Sequence, residues 1–283
     1  MPVHFELEPV GEGVWASVAV PGRGAVGNAA IVDLGGAALV VDTHFAPGAA
    51  RDLREAAEEL AGPVREVVDT HWHGDHVNGN ASMPAEARIA ATSKTRELIG
   101  TLGAKRLAEF KASLEGERAR VHQLRADGDE EGAEALAQLI AEAPGLEHRL
   151  PDDVFGEKLE LGRARALTFG GGHTASDAVV HVEDAGVLIA GDLVVVGSQP
   201  WAGHGDLGEW IRILDHLEAL DAHTVVPGHG PVAGAQALTP LRDYLEALAE
   251  LPDEAPARFR DWEQPQMWAR NIAALRELGS ATI

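Results

Sequence analysis

Short apolar runs and a few longer amphipathic stretches alternate along the chain. Residues 13–20 form a strand-like run that stops at Pro21-Gly22-Arg23-Gly24. Residues 28–34 and 37–43 are two more apolar runs, joined by Gly35-Gly36, a hairpin signature. Over 47–61, Leu53, Ala56, Ala57 and Leu60 fall on one helical face. The β-branched run 64–70 leads straight into His71, and 88–91 reads as another short strand. From 94 to about 143 the strand pattern vanishes. That segment is rich in Ala, Glu, Leu and Arg, which predicts two or three helices, broken near Gly116 and Asp127-Gly128-Asp129 and ended by Pro144-Gly145. Strand patterns return at 158–161, 164–169, 178–183 and 186–190. Residues 207–220 predict an amphipathic helix with Trp210, Ile213, Leu214 and Leu217 on its apolar face. A last buried strand, 224–226, precedes Pro227-Gly228-His229-Gly230, and helices over 238–251 and 266–278 close the chain. Strands then helix, given twice, predict a layered β core with helices outside and a helical insertion at about 94–150.

Composition narrows the class. The 283 residues are within reach of one large domain, 1–283, and 45% hydrophobic with 24% charged residues argues against disorder. The net charge of −22 makes attraction to nucleic acid or an anionic membrane unfavourable. An anionic substrate would need a local basic pocket, and no cluster along the chain promises one. There are no cysteines, so disulfides and thiolate metal sites are excluded, and any metal must sit on nitrogen and oxygen ligands. Residues 1–10 carry Glu6, Glu8 and Pro9 where a secretory leader would be basic and then apolar. No apolar run approaches the ~18 residues of a membrane span, so the expected location is the cytoplasm.

The sharpest chemical feature is His71-Trp72-His73-Gly74-Asp75-His76, with four potential ligands within six residues just past a strand. In an extended segment His71 and His73 point the same way and can share one metal. Gly74 allows a tight turn, which would aim Asp75 and His76 at a neighbouring point. One segment cannot complete two coordination shells, since zinc wants about four ligands. Gly172-His173-Thr174, Gly191-Asp192 and Gly228-His229-Gly230 supply further candidates, each after a β run and beside glycine. A lone histidine after a strand is usually structural, but this ordered set is not well explained by chance.

Together these motifs resemble the metallo-β-lactamase superfamily, and Val41-Asp42-Thr43 is similar to its first motif. The resemblance implies an α+β fold, a four-layer αβ/βα sandwich with metals at one edge. It implies two Zn2+ per chain, with iron or manganese as other possibilities. His71, His73 and His173 would bind the first metal, Asp75, His76 and His229 the second, and Asp192 would bridge them. Such a pair lowers the pKa of a shared water towards ~7, and the resulting hydroxide attacks the substrate. Asp75 and Asp192 are then the expected catalytic carboxylates.

Around this set, Asp42 either holds the His71 loop or simply ends a strand. Asn78 and Asn80 touch substrate or cap the loop, and Trp201 and His204 sit at the pocket mouth or in a surface turn. The resemblance implies a small-molecule substrate and allows a homodimer. Its glyoxalase II and lactonase branches cleave thioesters and lactones. The first would want a C-terminal Lys/Arg cluster that is not obvious, and the second a tyrosine, of which there is only Tyr244. A β-lactamase-like hydrolase of cyclic amides, with all-nitrogen-and-oxygen ligands, is the alternative. A mononuclear iron persulfide dioxygenase is the alternative of another class.

Overall fold

The structure, a computed structural model, describes residues 2–280, so the ends of the 1–283 span lie outside the described residues. The first sheet runs β1 (Phe5–Gly11), β2 (Val14–Ala19), β3 (Ala29–Asp33), β4 (Ala38–Val41), β5 (Val64–Val68), β6 (Arg88–Thr92) and β7 (Asp153–Phe155), in that spatial order. The second contains β8 (Lys158–Leu161), β9 (Ala164–Gly170), β10 (Asp177–Val182), β11 (Val187–Val195) and β12 (Thr224–His229), ordered β12-β11-β10-β9-β8. The β4 to β7 neighbours and the β11–β12 pair are parallel, and the others antiparallel.

Side chains on a strand alternate between faces, and this sorts the apolar runs into layers. Ala30, Val32, Leu39 and Val41 of the first sheet meet Ala166, Val180, Val187 and Ile189 of the second in a dry inter-sheet core. Ile31, Val40 and Val67 face the other way, onto Ala50, Leu53 and Ala57 of α1 (Pro47–Ala61). Burial on both faces is why β3, β4 and β11 read as unbroken apolar runs without alternation. On the far side of the second sheet lie α6 (Leu207–Glu218), α7 (Leu238–Ala249) and α8 (Gln266–Ser280), packed through Trp210, Leu214, Leu241, Tyr244 and Trp268. The order helix, sheet, sheet, helix is the expected four-layer sandwich.

The 94–150 segment is helical: α3 (Ser93–Leu98) passes through a π-helical turn at Ile99–Gly103 into α4 (Ala104–Ala126), and α5 (Glu130–Glu142) folds back on it. The expected break near Gly116 is absent. Gly116 lies mid-helix with open space around it, where a lone exposed glycine costs only about 1 kcal/mol. The break at Asp127-Gly128-Asp129 is real, with Asp129 capping α5 through the Gly132 N–H. Two strands escape the apolar pattern. β1 is an edge strand whose Glu6 and Pro9 are exposed while Phe5 is buried, and β7 is three residues long. The Gly35-Gly36 hairpin forms as expected, both glycines at positive φ. Among the described residues no helix is long and apolar enough to cross a membrane.

Candidate metal centre

The candidate ligands converge at one edge of the sandwich. β5 ends at Val68, and the loop after it carries Asp69 to His73 across the rims of both sheets. It is pinned there by the Ala178 N–H, which donates to the Thr70 carbonyl at 2.8 Å. Gly74 does not form a tight turn. It opens a single helical turn, α2 (Gly74–Val77), which carries Asp75 and His76 inward. Asp192 does not follow its strand either. It lies inside β11, where the register with β12 shifts on both sides of Gly191, and that irregularity turns the carboxylate to the rim. His173 follows β9, and His229 is the last residue of β12.

These side chains form two groups whose candidate ligand atoms lie within 4.8 Å of one another: His71, His73, His173 and Asp192, and beside them Asp75, His76 and His229. Asp192 faces both. Its Oδ2 lies 3.2 Å from His173 Nε2 and 3.7 Å from His71 Nε2, and its Oδ1 lies 3.1 Å from His76 Nε2 and 3.3 Å from His229 Nε2. His73 Nδ1 is 3.0 Å from His173 Nε2, and Asp75 Oδ2 is 3.3 Å from His229 Nε2. This crowding requires Gly228, because a Cβ there would lie 2.0 Å from Asp192 Oδ1.

The polar frame around the ligands sets which atoms they present. Asp42, in the left-handed region at φ 60°, accepts from Thr70 N–H and Thr70 Oγ1–H and from His76 Nδ1–H, each at 2.8 Å. With its own proton committed to Asp42, Thr70 Oγ1 accepts from His71 Nδ1–H at 3.0 Å. His71 Nε2 is thus left as a lone pair facing the site, and the bond from Nδ1–H to Asp42 turns His76 Nε2 towards it. Asp177 holds the His173 loop by accepting from the N–H groups of Gly172 and Thr174 and from the Thr174 hydroxyl. Asn28 donates to the carbonyls of Pro227 and Gly230, fixing the His229 loop from the opposite sheet.

The electrostatics divide the ligand set. Burial, reinforced by neighbouring imidazoles, drives His71 and His73 well below the ordinary histidine range, so both are neutral. Burial also opposes charge on His76 and His229, but Asp192 and Asp75 outweigh it, and His229 is pushed up to about 10. Against the same burial penalty the histidines hold Asp192 and Asp75 below the usual carboxylate range. His71 Nε2 is buried without a hydrogen-bond partner, and His76 Nε2 and Asp192 Oδ1, 3.1 Å apart, do not meet in hydrogen-bonding geometry. Each such orphan costs about 1–3 kcal/mol. A cation coordinated by these atoms removes that cost, so the residues present fit a pair of metals on nitrogen and oxygen ligands.

The cluster floors a cleft of about 590 Å³. Trp201 and His204 line it, and His204 Nδ1 lies 2.8 Å from His73 Nε2. Asn78 also lines it, with its Oδ1 2.8 Å from His148 Nε2. Asn80 does not reach the cleft: it holds Asp69 and accepts from Thr43. His44 is buried away from the cluster, between Ser17 and the Gly27 carbonyl. The motifs gave no sign of Thr70, Asp177 and Asn28, whose residue types are common beside any strand. Nor did they mark Arg106 and Arg270, which line the cleft from helices 164 positions apart, so that no local cluster of basic residues announces them.

The family model for the metallo-beta-lactamase superfamily matches residues 22–229. The chain belongs to that superfamily, a fold of metal-dependent hydrolases. It is 28% identical over 255 residues to a hydroxyacylglutathione hydrolase of Methylococcus capsulatus, covering 88% of this chain and 72% of the relative. It is 22% identical over 227 residues to a beta-lactamase-like protein 2 homolog of Caenorhabditis elegans, covering 76% of this chain and spanning only 62% of that protein's length. Among solved structures, the metallo-beta-lactamase FIM-1 of Pseudomonas aeruginosa, in a mono-zinc form, superposes with TM-score 0.63 at 19% identity, over 88% of this chain and 97% of that one. A metallo beta lactamase of Hirschia baltica gives 0.61 at 21% identity, over 84% and 96%. At these identities the structural likeness shows the fold.

Proposed function

We propose that the chain holds two zinc ions and hydrolyses an ester, thioester or lactone bond of a small molecule. The observation that carries this reading is the paired ligand set sharing Asp192, one carboxylate oxygen to each group, at the floor of an open cleft. His71, His73 and His173 would hold one ion, Asp75, His76 and His229 the other, with Asp192 between them. Metals bound there would supply an activated water and a Lewis acid for the scissile carbonyl. The remaining work falls to the chain. Asp42 and Thr70 fix the tautomers and ring orientations of His71 and His76. Asp75 lines the cleft as an ionised carboxylate, placed to accept a hydrogen bond from a water there and so orient it. The half-exposed wall at Trp201 and His204 bounds the space for the acyl or leaving group.

The likeness to a hydroxyacylglutathione hydrolase is the reason to try thioesters first. The test is metal quantification on the purified protein, followed by thioester, lactone, β-lactam and phosphodiester panels. The expected result is two zinc per chain and thioester or lactone cleavage that Asp192→Ala abolishes. A single iron with oxygen uptake on a persulfide would overturn the reading, as would full activity in Asp192→Ala.

A further inference from the structure

Beyond the ligand atoms, the cleft lining holds an apolar surface, neutral polar groups such as Asn78 and Gln199, and two cations. Phe45 and Phe110 meet edge to face at 4.9 Å, and Leu107 and Met267 extend the same apolar lining. Val26 is 53% exposed at the cleft and sits at φ 70°, a conformation costly for a β-branched residue. Strain of that kind persists where surrounding structure enforces it, often at a ligand clamp. The apolar body of a ligand therefore has a prepared surface.

The cations are Arg106 of α4 and Arg270 of α8. They flank one wall: Arg106 Nη2 is 3.1 Å from His204 Nε2, the His204 and Trp201 rings are 5.4 Å apart, and the Arg270 guanidinium lies 5.5 Å from the centre of a Trp201 ring. Neither has a carboxylate partner among the described residues, although Arg23, Arg51, Arg88, Arg149 and Arg242 all do. In a chain of net charge −22, two guanidiniums without a carboxylate partner line the wall of one cleft, whose floor carries Asp75 and Asp192. The His204 contact satisfies Arg106 in only one tautomer of His204. A neutral imidazole has one N–H and one acceptor nitrogen. If His73 Nε2–H donates to His204 Nδ1, then His204 Nε2 carries the proton and offers Arg106 no lone pair.

We propose that Arg106 and Arg270 are the specificity-determining residues of the cleft, and that its substrate is an apolar, preferably aromatic, acyl compound bearing a carboxylate. Guanidinium groups match a carboxylate in a planar, bidentate way, and the aromatic lining accepts the ring. The helical insertion thereby acquires a role, because α4 supplies Arg106, Leu107 and Phe110 to a cleft whose floor comes from the sandwich.

This inference rests on the hydrolase reading for where the scissile bond lies, so the test separates the two. Phenylacetyl thioesters of 3-mercaptopropionate and of its neutral amide form one matched pair. A second pair carries the carboxylate or amide on the aryl ring of the acyl group. The metal-loaded protein should prefer the acid over the amide in at least one pair by about tenfold in kcat/KM, and added salt should erode the ratio. The double variant R106Q/R270Q should bring that ratio to about one. R120Q removes one positive charge from an exposed position of α4 outside the cleft and should keep it. A ratio near one in the parent protein, or one that survives the double variant, overturns the proposal while leaving hydrolysis intact. If no thioester or lactone is cleaved, the hydrolase reading fails and binding decides the rest. Quenching of tryptophan fluorescence by 3-phenylpropionate should then be tighter than by its amide in the parent protein and equal in R106Q/R270Q, and equal binding in both proteins overturns the proposal.

Discussion

Asn271 is fully buried in α8, far along the chain from any candidate ligand, yet it holds one wall of the cleft. Its Oδ1 accepts from the Ala202 N–H at 2.9 Å, and its Nδ2 donates to the Pro200 carbonyl at 2.8 Å and to Tyr244 Oη at 3.3 Å. Those bonds clamp the turn that presents Trp201 and His204. Asn271→Ala strands two backbone groups, and a stranded buried group costs about 1–3 kcal/mol, giving about 2–6 kcal/mol for a rigid loop. Half-exposed Trp201, Gly203 and His204 leave the loop some room to relax, although Pro200 and Ala202, which carry the stranded groups, are buried, so the lower part of that range applies. Loss of three ordinary hydrogen bonds, about 3 kcal/mol in all, is then the expected destabilisation. It should appear as a lower urea midpoint with an unchanged slope, followed by circular dichroism. Because Asn271 makes no hydrogen bond to a candidate ligand, KM for the preferred thioester should rise several-fold while kcat changes little. Asn271→Asp keeps the acceptor for Ala202 but turns a carboxylate oxygen on the Pro200 carbonyl, and should be at least as damaging. An Asn271→Ala protein with the parental urea midpoint and KM would refute the clamp. A loss confined to kcat would place its effect at the metals instead.

Other perturbations test the frame around the site. Asp42→Ala removes the acceptor for Thr70 and His76, so zinc affinity measured by chelator competition should fall about 10–100-fold; unchanged affinity would mean the His76 ring is held by its packing alone. Stripping the metals should lower the melting temperature markedly, since a ligand at 1,000 times its Kd adds about 4 kcal/mol to folding. A chelator-insensitive melt would show that the buried ligand atoms need no cation. His44 gives a pH signature away from the metals. Burial holds its pKa at about 4, with Nδ1–H donating to the Gly27 carbonyl and Nε2 accepting from Ser17. Its neutral form is favoured in the fold, so its contribution is complete above the unfolded pKa of about 6.5 and is lost as pH falls towards 4, by about 3 kcal/mol. Asn tolerates the left-handed backbone at this position, so His44→Asn should flatten that part of the stability–pH curve in urea titrations, and a curve parallel to the parent's would refute the assignment.

By itself the sequence determined the layers and the ligand types. Apolar runs at strand and helix periods specify which faces are buried, and the α1, α6 and α7 stripes were legible because burial writes directly into local pattern. The absence of cysteine limited any metal to nitrogen and oxygen donors. The pattern failed where burial is weak. β1 and β7 are short or at an edge, and α4 has little apolar face, so Gly116 looked like a break. Only tertiary structure decided which side chains meet. Asp192 is brought to the rim by a strand irregularity, His76 is oriented by an aspartate 34 residues earlier, and the His229 loop is held by Asn28 from 199 residues before Pro227. The cationic wall of the cleft was hidden most completely. Arg106 and Arg270 look like ordinary surface charges on two helices, and electrostatic potential depends on distance in space, which chain order does not record.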